Sequence, residues 1–461
     1  MKQLLCCFAF LTAFLTSFSQ ELTYKSASDN WDADSLGNYR VVVNFTSTAN
    51  VAKVYIPWRR RDDNAASKKI IIQDAQTSQL ILNATAKNIT SQSGDVYFEP
   101  ASGKGIYYIY IMPYRNEGRA NYPKSAYLPP VEKANSQWLQ SVNDDMQPNA
   151  TVTAIEAINE FSSNYPMEVV ATKAETETLL KKNQSKPFLV FPESRELPVR
   201  MKDKLPYRWI KDGPSASFTG DAARGEYYSF QIALYAIQSL GDVSISFTDL
   251  RSSSGKIIAA KNISCLNNTG VKYDATPFVQ NVDVPAQTVQ SMWCLLQVPE
   301  NTAKGLYTGK AIIHSKAKAD VQVQININVS DKLLADGGIS EPWKQTRLHW
   351  LNSTMAQENT VIAPYTPLKV EKRSISLLGR KMFVGDNGFP LQILSYFTKE
   401  MTELITRPSP VFSGHVRLNV TKQGAANPMA WKEKGLQFTQ KEPGTVSWKA
   451  ESYNNDLKRE V

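Results

Sequence analysis

Val321-Gln-Val-Gln-Ile-Asn-Ile-Asn-Val329 alternates apolar and polar residues at every step. Side chains on a strand point to opposite faces in turn, so this run buries one face and wets the other. A helix would scatter the same residues around its circumference. Working back along the chain, Pro299-Glu-Asn-Thr-Ala-Lys-Gly305 followed by Leu306-Tyr-Thr-Gly309 reads as a turn feeding another strand. Tyr227-Tyr-Ser-Phe-Gln-Ile-Ala-Leu-Tyr235 and Val243-Ser-Ile-Ser-Phe247 are short, β-branched or aromatic runs of the same kind. Short strands spaced by turns, with no helix between them, predict an antiparallel β-sandwich over 188–335.

The same pattern fills 20–126. Tyr39-Arg-Val-Val-Val-Asn-Phe45, Val51-Ala-Lys-Val-Tyr-Ile56, Lys69-Ile-Ile-Ile72 and Tyr107-Tyr-Ile-Tyr-Ile-Met112 predict a first sandwich. Between the sandwiches, 127–187 reads differently. Pro129-Pro130 opens it, and Ala154, Ile155, Ile158 and Phe161 recur at helical spacing. Thr153 with Glu156, and Thr172 with Glu175, both fit a capping box. The expectation is a connector of two short helices joined through Tyr165-Pro166. After 335 come Leu368-Lys-Val370, Ser374-Ile-Ser-Leu377, Gly414-His-Val-Arg-Leu-Asn-Val420 and Thr445-Val-Ser-Trp-Lys449. They predict a third β domain over 336–461, which reads as truncated because no closing element follows the last run.

The N-terminus adds a destination. Met1-Lys2-Gln3 precedes an apolar run from Leu4 to Leu15, and small residues follow at Ser17 and Ser19. That is the form of a Sec signal peptide over 1–19, with export to the periplasm or the outside. The run is too short to span a bilayer, which takes about 20 residues. No other segment is apolar and long enough, so no membrane span is expected. Cys6 and Cys7 sit at the start of the run, not at its end, where a lipid anchor would need them.

The 461 residues are 42% hydrophobic and carry a net charge of +9. Lysine and arginine are dispersed, and the one cluster, Arg59-Arg60-Arg61, is offset at once by Asp62-Asp63. Nucleic-acid binding needs a concentrated basic face, so it is excluded as a function class. The ten Asn-x-Ser/Thr sequons from Asn44 to Asn419 would be glycosylation sites in a eukaryotic secreted chain; in a bacterial one they reflect composition. Cys265 and Cys294 lie in strand-like runs and are either a disulfide or two buried thiols.

Chemistry-bearing constellations are sparse. The three histidines, His314, His349 and His415, are isolated, and no zinc-ligand spacing, Gly-x-Ser-x-Gly or phosphate-cradling glycine loop occurs. Neither a metal nor a cofactor is expected, and no catalytic residue is assigned. The aromatic residues are the better lead, because sugars stack their C–H faces on Trp and Tyr. Trp58 with Arg59, Arg61 and Asp62 forms one candidate platform. Trp209 with Arg208 is a second, and Trp343 with His349 and Trp350 a third. The competing reading makes the tryptophans core and Arg59 to Asp62 an inter-domain salt bridge.

Several strings, in order along the chain, carry a family resemblance. They are Ile56-Pro-Trp-Arg-Arg-Arg-Asp62, Phe98-Glu-Pro-Ala-Ser-Gly103, Asn164-Tyr-Pro-Met-Glu-Val169, Leu205-Pro-Tyr-Arg-Trp-Ile210, Gly225-Glu-Tyr-Tyr-Ser-Phe-Gln231 and Arg347-Leu-His-Trp-Leu-Asn-Ser-Thr354. Together they resemble the N-terminal region of Bacteroidetes proteins similar to glycoside hydrolase family 123. The resemblance implies β-sandwich modules ahead of a (β/α)8 catalytic barrel and an exo-β-N-acetylgalactosaminidase type of activity. It also implies an adjacent Asp-Glu pair, the Asp orienting the sugar's acetamido group and the Glu acting as acid and base. This sequence contains no Asp-Glu dipeptide and no alternating strand–helix run that would make a barrel. The chain therefore reads as a non-catalytic front region, with an N-acetylhexosamine-containing glycan and a barrel domain as partners. The alternative is a free-standing carbohydrate-binding or surface-adhesion protein.

Overall fold

The structure is a computed structural model that describes residues 22–119, 121–274, 276–316, 318–355 and 358–461. The signal segment 1–19 lies outside the described residues. The chain is mostly β and falls into two compact units: one runs to Asn268 and from Gln280 to Leu348, the other comprises Thr269–Val279 and His349–Val461.

The first unit contains two sandwiches. In the first, six strands pair in the order Thr23–Ser26, Ala150–Ala157, Tyr39–Phe45, Gly105–Ile111, Ile70–Asp74, Leu80–Ile81. A three-stranded sheet, Ala52–Ile56, Gly94–Phe98 and Ala84–Lys87, faces it. Val41, Val43, Phe45, Val54, Ile56, Phe98 and Ile109 fill the space between. These are the inward positions of the alternating runs, each contributing about 1.5–3 kcal/mol by leaving water.

The second sandwich sets Phe188–Ser194, Tyr227–Ala236, Val289–Gln297 and Ile263–Cys265 against a sheet in which Val321–Leu333 lies between Ser217–Arg224 and Gly305–His314. Val323, Ile325, Ile327 and Val329 are buried and Gln322, Gln324 and Asn328 are exposed, as the alternation requires. Tyr227–Ala236 does not alternate because both of its faces are covered. The outer one carries helices Lys173–Lys182 and Tyr207–Asp212, which pack Leu179 and Trp209 onto Phe191, Ala233 and Tyr235. The sandwiches are antiparallel with one exception each: Thr23–Ser26 runs parallel to Ala150–Ala157, and Ser217–Arg224 parallel to Val321–Leu333.

The connector needs correction. Thr172 and Glu175 do form a capping box on helix Lys173–Lys182, but Ala150–Ala157 is a strand, not a helix. Thr151, Val152, Thr153 and Ile155 are β-branched and favour the pleated state. A register shift between Val152 and Ala154 breaks the alternation and mimics helical spacing. Glu156 caps nothing. It faces Arg40 across the sheet, accepting from Nε at 2.9 Å and from Nη2 at 2.7 Å. Phe161 is fully exposed and belongs to no apolar stripe.

The second unit holds a five-stranded sheet from Lys369–Glu371 to Leu404–Pro410 and a three-stranded sheet, Lys432–Lys441, Val446–Tyr453 and Lys458–Glu460. The strand expected at Gly414–Val420 is irregular chain. Buried apolar residues are few, namely Ile375, Val384 and Ala450. A buried arginine does part of their work: Arg459 donates to Glu433 and Ser452 and lies 4.6 Å from the Trp431 ring centroid.

Trp58 depends on a neighbouring glycine. A Cβ on Gly94 would lie 2.4 Å from the indole Cη2, and a rigid ring inside a filled core has nowhere to move. Gly94→Ala should therefore cost about 2 kcal/mol, read as a lower midpoint in urea unfolding. An unchanged midpoint would show that the ring can be displaced freely.

Candidate functional site

The strand Ala52–Ile56 stops at Pro57, which has no amide proton to extend the ladder. Arg59 then adopts a left-handed backbone (φ 52°), uncommon for a residue with a side chain. Its amide donates to the Gln92 carbonyl (2.8 Å), and the Arg60 amide to that of Ser91 (3.0 Å). The turn aims the Arg59 side chain away from the first sandwich. Its guanidinium donates to both carboxylate oxygens of Glu175, at 2.6 and 2.7 Å, and to the Val170 carbonyl at 3.3 Å. It also lies 3.7 Å from the Tyr207 ring centroid. Burial alone would raise the Glu175 carboxyl, but the Arg59 hydrogen bonds and the Thr172 amide hold it below its usual range. Glu175 thus caps its helix and binds Arg59 at once.

Next to this lock lies a cleft of about 490 Å³ lined by the segments Trp58–Asp63 and Ser163–Tyr165, with Tyr39, Glu168, Val169, Asp203 and Lys204. Ligand pockets span roughly 300–1,000 Å³, and the cleft falls within that range. Arg60 is bound to Asp62, which also accepts from Tyr127 and, at 3.3 Å, from Lys68. Burial would raise the Asp62 carboxyl, yet the Arg60 charge and these hydrogen bonds bring it down to about 2. Burial and the Asp62 charge push the Tyr127 phenol up to about 12. Arg61 reaches Glu168 at 3.0 Å, and Arg200 reaches its other oxygen at 3.5 Å while lying 4.2 Å from the Tyr165 ring centroid. The Asn164 Nδ2 is buried without a hydrogen-bond partner.

The residues singled out from the sequence divide sharply. Arg59, Arg61 and Asp62 come together at the cleft. Trp58 lines it with an edge only, because its ring is 2% exposed and its Nε1 donates to the Thr90 carbonyl (2.9 Å). Trp209 stands apart. It stacks on Phe191 at 4.3 Å and donates to Glu193 at 2.7 Å inside the core. Neither indole offers a face to a sugar. Trp343 and Trp350 are exposed. Sequence reading missed Asn164, Tyr165, Asp203 and Lys204, which lie more than 100 residues from Trp58; no local signal joins them.

Chemically, the cleft is a set of hydrogen-bonding groups around neutralised charges. Asp62 is held ionised and Glu168 is cross-linked by two arginines. A glycosidic general acid needs a raised carboxyl pKa instead. Among the described residues no group of three or more His, Cys, Asp and Glu is placed to hold a metal ion. No helix of the described residues is long and apolar enough to cross a membrane.

Residues 29–158 match the family profile described as glycoside hydrolase 123, N-terminal domain, and residues 368–461 match that described as glycoside hydrolase 123, third domain. Over these two segments the chain is similar to glycoside hydrolase 123 proteins. No curated protein matches it. Among solved structures, a family 123 glycoside hydrolase from Clostridium perfringens aligns at 16% identity with a TM-score of 0.26, covering 32% of this chain and 28% of that one. The chain thus spans less than a third of that enzyme's length. A PapD-like domain of human CEP192 aligns at 13% identity with a TM-score of 0.19, over 26% of this chain and 83% of that one.

Two outcomes follow from the charges. Arg59→Ala leaves Glu175 half-buried and unpaired, so it should cost about 3–5 kcal/mol, and Arg59→Lys, which lacks the bidentate fork, should recover only part. Equal stability of wild type and Arg59→Ala in urea would refute the lock. Asp62 has a folded pKa of about 2 below an unfolded value near about 3.9, so its contribution is present above pH 4 or so and lost as pH falls. Tyr127 has a folded pKa of about 12 above an unfolded value of about 10, so its share is present below that value and lost as pH rises. The difference in Tm between wild type and Asp62→Asn should be widest at neutral pH and shrink at both extremes. A gap independent of pH would contradict the assignment.

Proposed function

We propose that this chain is the non-catalytic, β-sandwich-rich front region of an exported glycoside hydrolase, bracing a catalytic barrel and contributing glycan contacts of its own. One observation carries the reading: two separate segments match domains of the glycoside hydrolase 123 family, yet the chain lacks the Asp-Glu pair that such chemistry would use. The signal-like segment 1–19 supports export to the periplasm or beyond. The Arg59–Glu175 lock suits a rigid brace, because a bidentate pair fixes orientation as well as distance. The ligand we assign to the cleft is an N-acetylhexosamine-containing glycan, whose hydroxyl and acetamido groups match the polar groups of Asp203, Lys204 and Arg61 and the unpartnered Nδ2 of Asn164. The cleft also favours the second reading, a free-standing carbohydrate-binding or adhesion protein, since it needs no barrel to bind.

The test joins hydrolysis to binding. The purified chain is assayed on 4-nitrophenyl β-N-acetylgalactosaminide and β-N-acetylglucosaminide, with calorimetric titration of the free sugars. No turnover is expected, together with weak binding that falls about 3–10-fold in Asn164→Ala through loss of one hydrogen bond. Turnover would overturn the non-catalytic reading. Absence of binding would overturn the glycan contact and leave the brace. Retention on a glycan array by the chain alone, lost in Asn164→Ala, would favour the adhesion reading.

A further inference from the structure

Strand Ile263–Cys265 lies at the edge of the second sandwich, antiparallel to Val289–Gln297, with Cys265 directly opposite Cys294. The Leu266 amide donates to the Trp293 carbonyl at 2.8 Å. That makes 266 and 293 a hydrogen-bonded pair, so 265 and 294, one step along the ladder, are of the non-hydrogen-bonded kind. In such pairs the Cα atoms stand about 4.5 Å apart and the side chains lean together. A disulfide requires roughly 4.4–6.8 Å. Opposite residues share a face, and here it is the inner one: both thiols sit in the sandwich core, almost wholly buried. No other cysteine occurs after position 7, so neither thiol has a competing partner in the two sandwiches.

We propose that Cys265 and Cys294 form a cross-strand disulfide when the chain folds in an oxidising compartment. The staple would fix the weakest strand of its sheet. Ile263–Cys265 has three ladder residues and pairs on one side only. It leads directly to Asn268, whose Nδ2 donates to the Val243 carbonyl (3.0 Å) and whose Oδ1 accepts from the Ile245 amide (3.1 Å). Asn268 thereby ties this edge to the facing sheet, and the tie holds only while the edge strand stays paired.

The two thiols are not equivalent. Hydrogen bonding from Cys294 holds the Cys265 thiol below its usual range, whereas burial pushes that of Cys294 up. Exchange proceeds through whichever thiol is ionised and exposed while the edge strand is still open. With a disulfide oxidant such as oxidised glutathione, one cysteine, taken as Cys265, attacks one sulfur as its thiolate and expels a glutathione thiolate. Cys294 Sγ then attacks Cys265 Sγ and expels the second, the two protons passing to the leaving groups. One disulfide is reduced and one is formed. Because the pair is buried, exchange occurs during folding, before the edge strand closes.

The full chain is unfolded, reduced and refolded in a buffer of reduced and oxidised glutathione, then digested with trypsin without reductant. Cleavage after Lys261, Lys272 and Lys304 places the cysteines on adjacent peptides, 262–272 and 273–304. The expected result is one linked species, two hydrogens lighter than the sum of the peptides, which dithiothreitol separates. Oxidised protein should also melt about 5–10 °C above reduced protein, and the Cys265→Ala/Cys294→Ala double variant should melt at one temperature in either condition. Two separate peptides with free thiols from refolded, folded protein would overturn the proposal. So would a linked species with no reductant-dependent change in melting, because the bond would then staple nothing.

Discussion

Burying the Arg59 guanidinium would cost several kcal/mol if it went unpaired, and the first unit is arranged so that it does not. The turn after Ala52–Ile56 delivers the side chain in a left-handed backbone conformation, and Glu175 receives it with two hydrogen bonds. Because Glu175 also caps helix Lys173–Lys182, the position of that helix is fixed by the loop of the first sandwich. The helix in turn covers the outer face of Phe188–Ser194 and Tyr227–Ala236. A left-handed turn, one ion pair and one helix cap therefore tie the two sandwiches together beside the cleft, alongside the Val170 amide on the Arg59 carbonyl and Arg61 on Glu168.

The cleft's charges follow the same economy. Asp62 is ionised because Arg60, Lys68 and Tyr127 surround it, and Glu168 is held by Arg61 and Arg200. Four cations, Arg59, Arg60, Arg61 and Lys204, and four anions, Asp62, Asp63, Glu168 and Asp203, line the cleft, so its walls are polar and nearly neutral overall. The anions offset the triple arginine, whose charge Asp62 and Glu168 pair in part.

Part of this was legible in the residues. The alternation of Val321–Val329 specifies a strand with one buried face whatever surrounds it, and Thr172 with Glu175 marks a helix start by its own hydrogen bonds. Ala150–Ala157 was not legible as a strand, because a register shift disguises its period and Glu156 has a meaning only opposite Arg40. Trp58 and Trp209 misled in the other direction. Their composition suits sugar stacking, but whether an indole faces solvent depends on the sheet beneath it and on glycines such as Gly94.

The sequence by itself determined the β character and the absence of an Asp-Glu dipeptide, since side-chain period and dipeptide content are local properties. Only the tertiary structure decided which polar groups meet. Arg59 and Glu175 are separated by 116 residues, and Asn164 joins Arg61 at the cleft across a similar span. Cys265 and Cys294 are opposite each other only because two strands pair in one register. Such contacts arise from packing over long chain separations, and no short-range pattern encodes them.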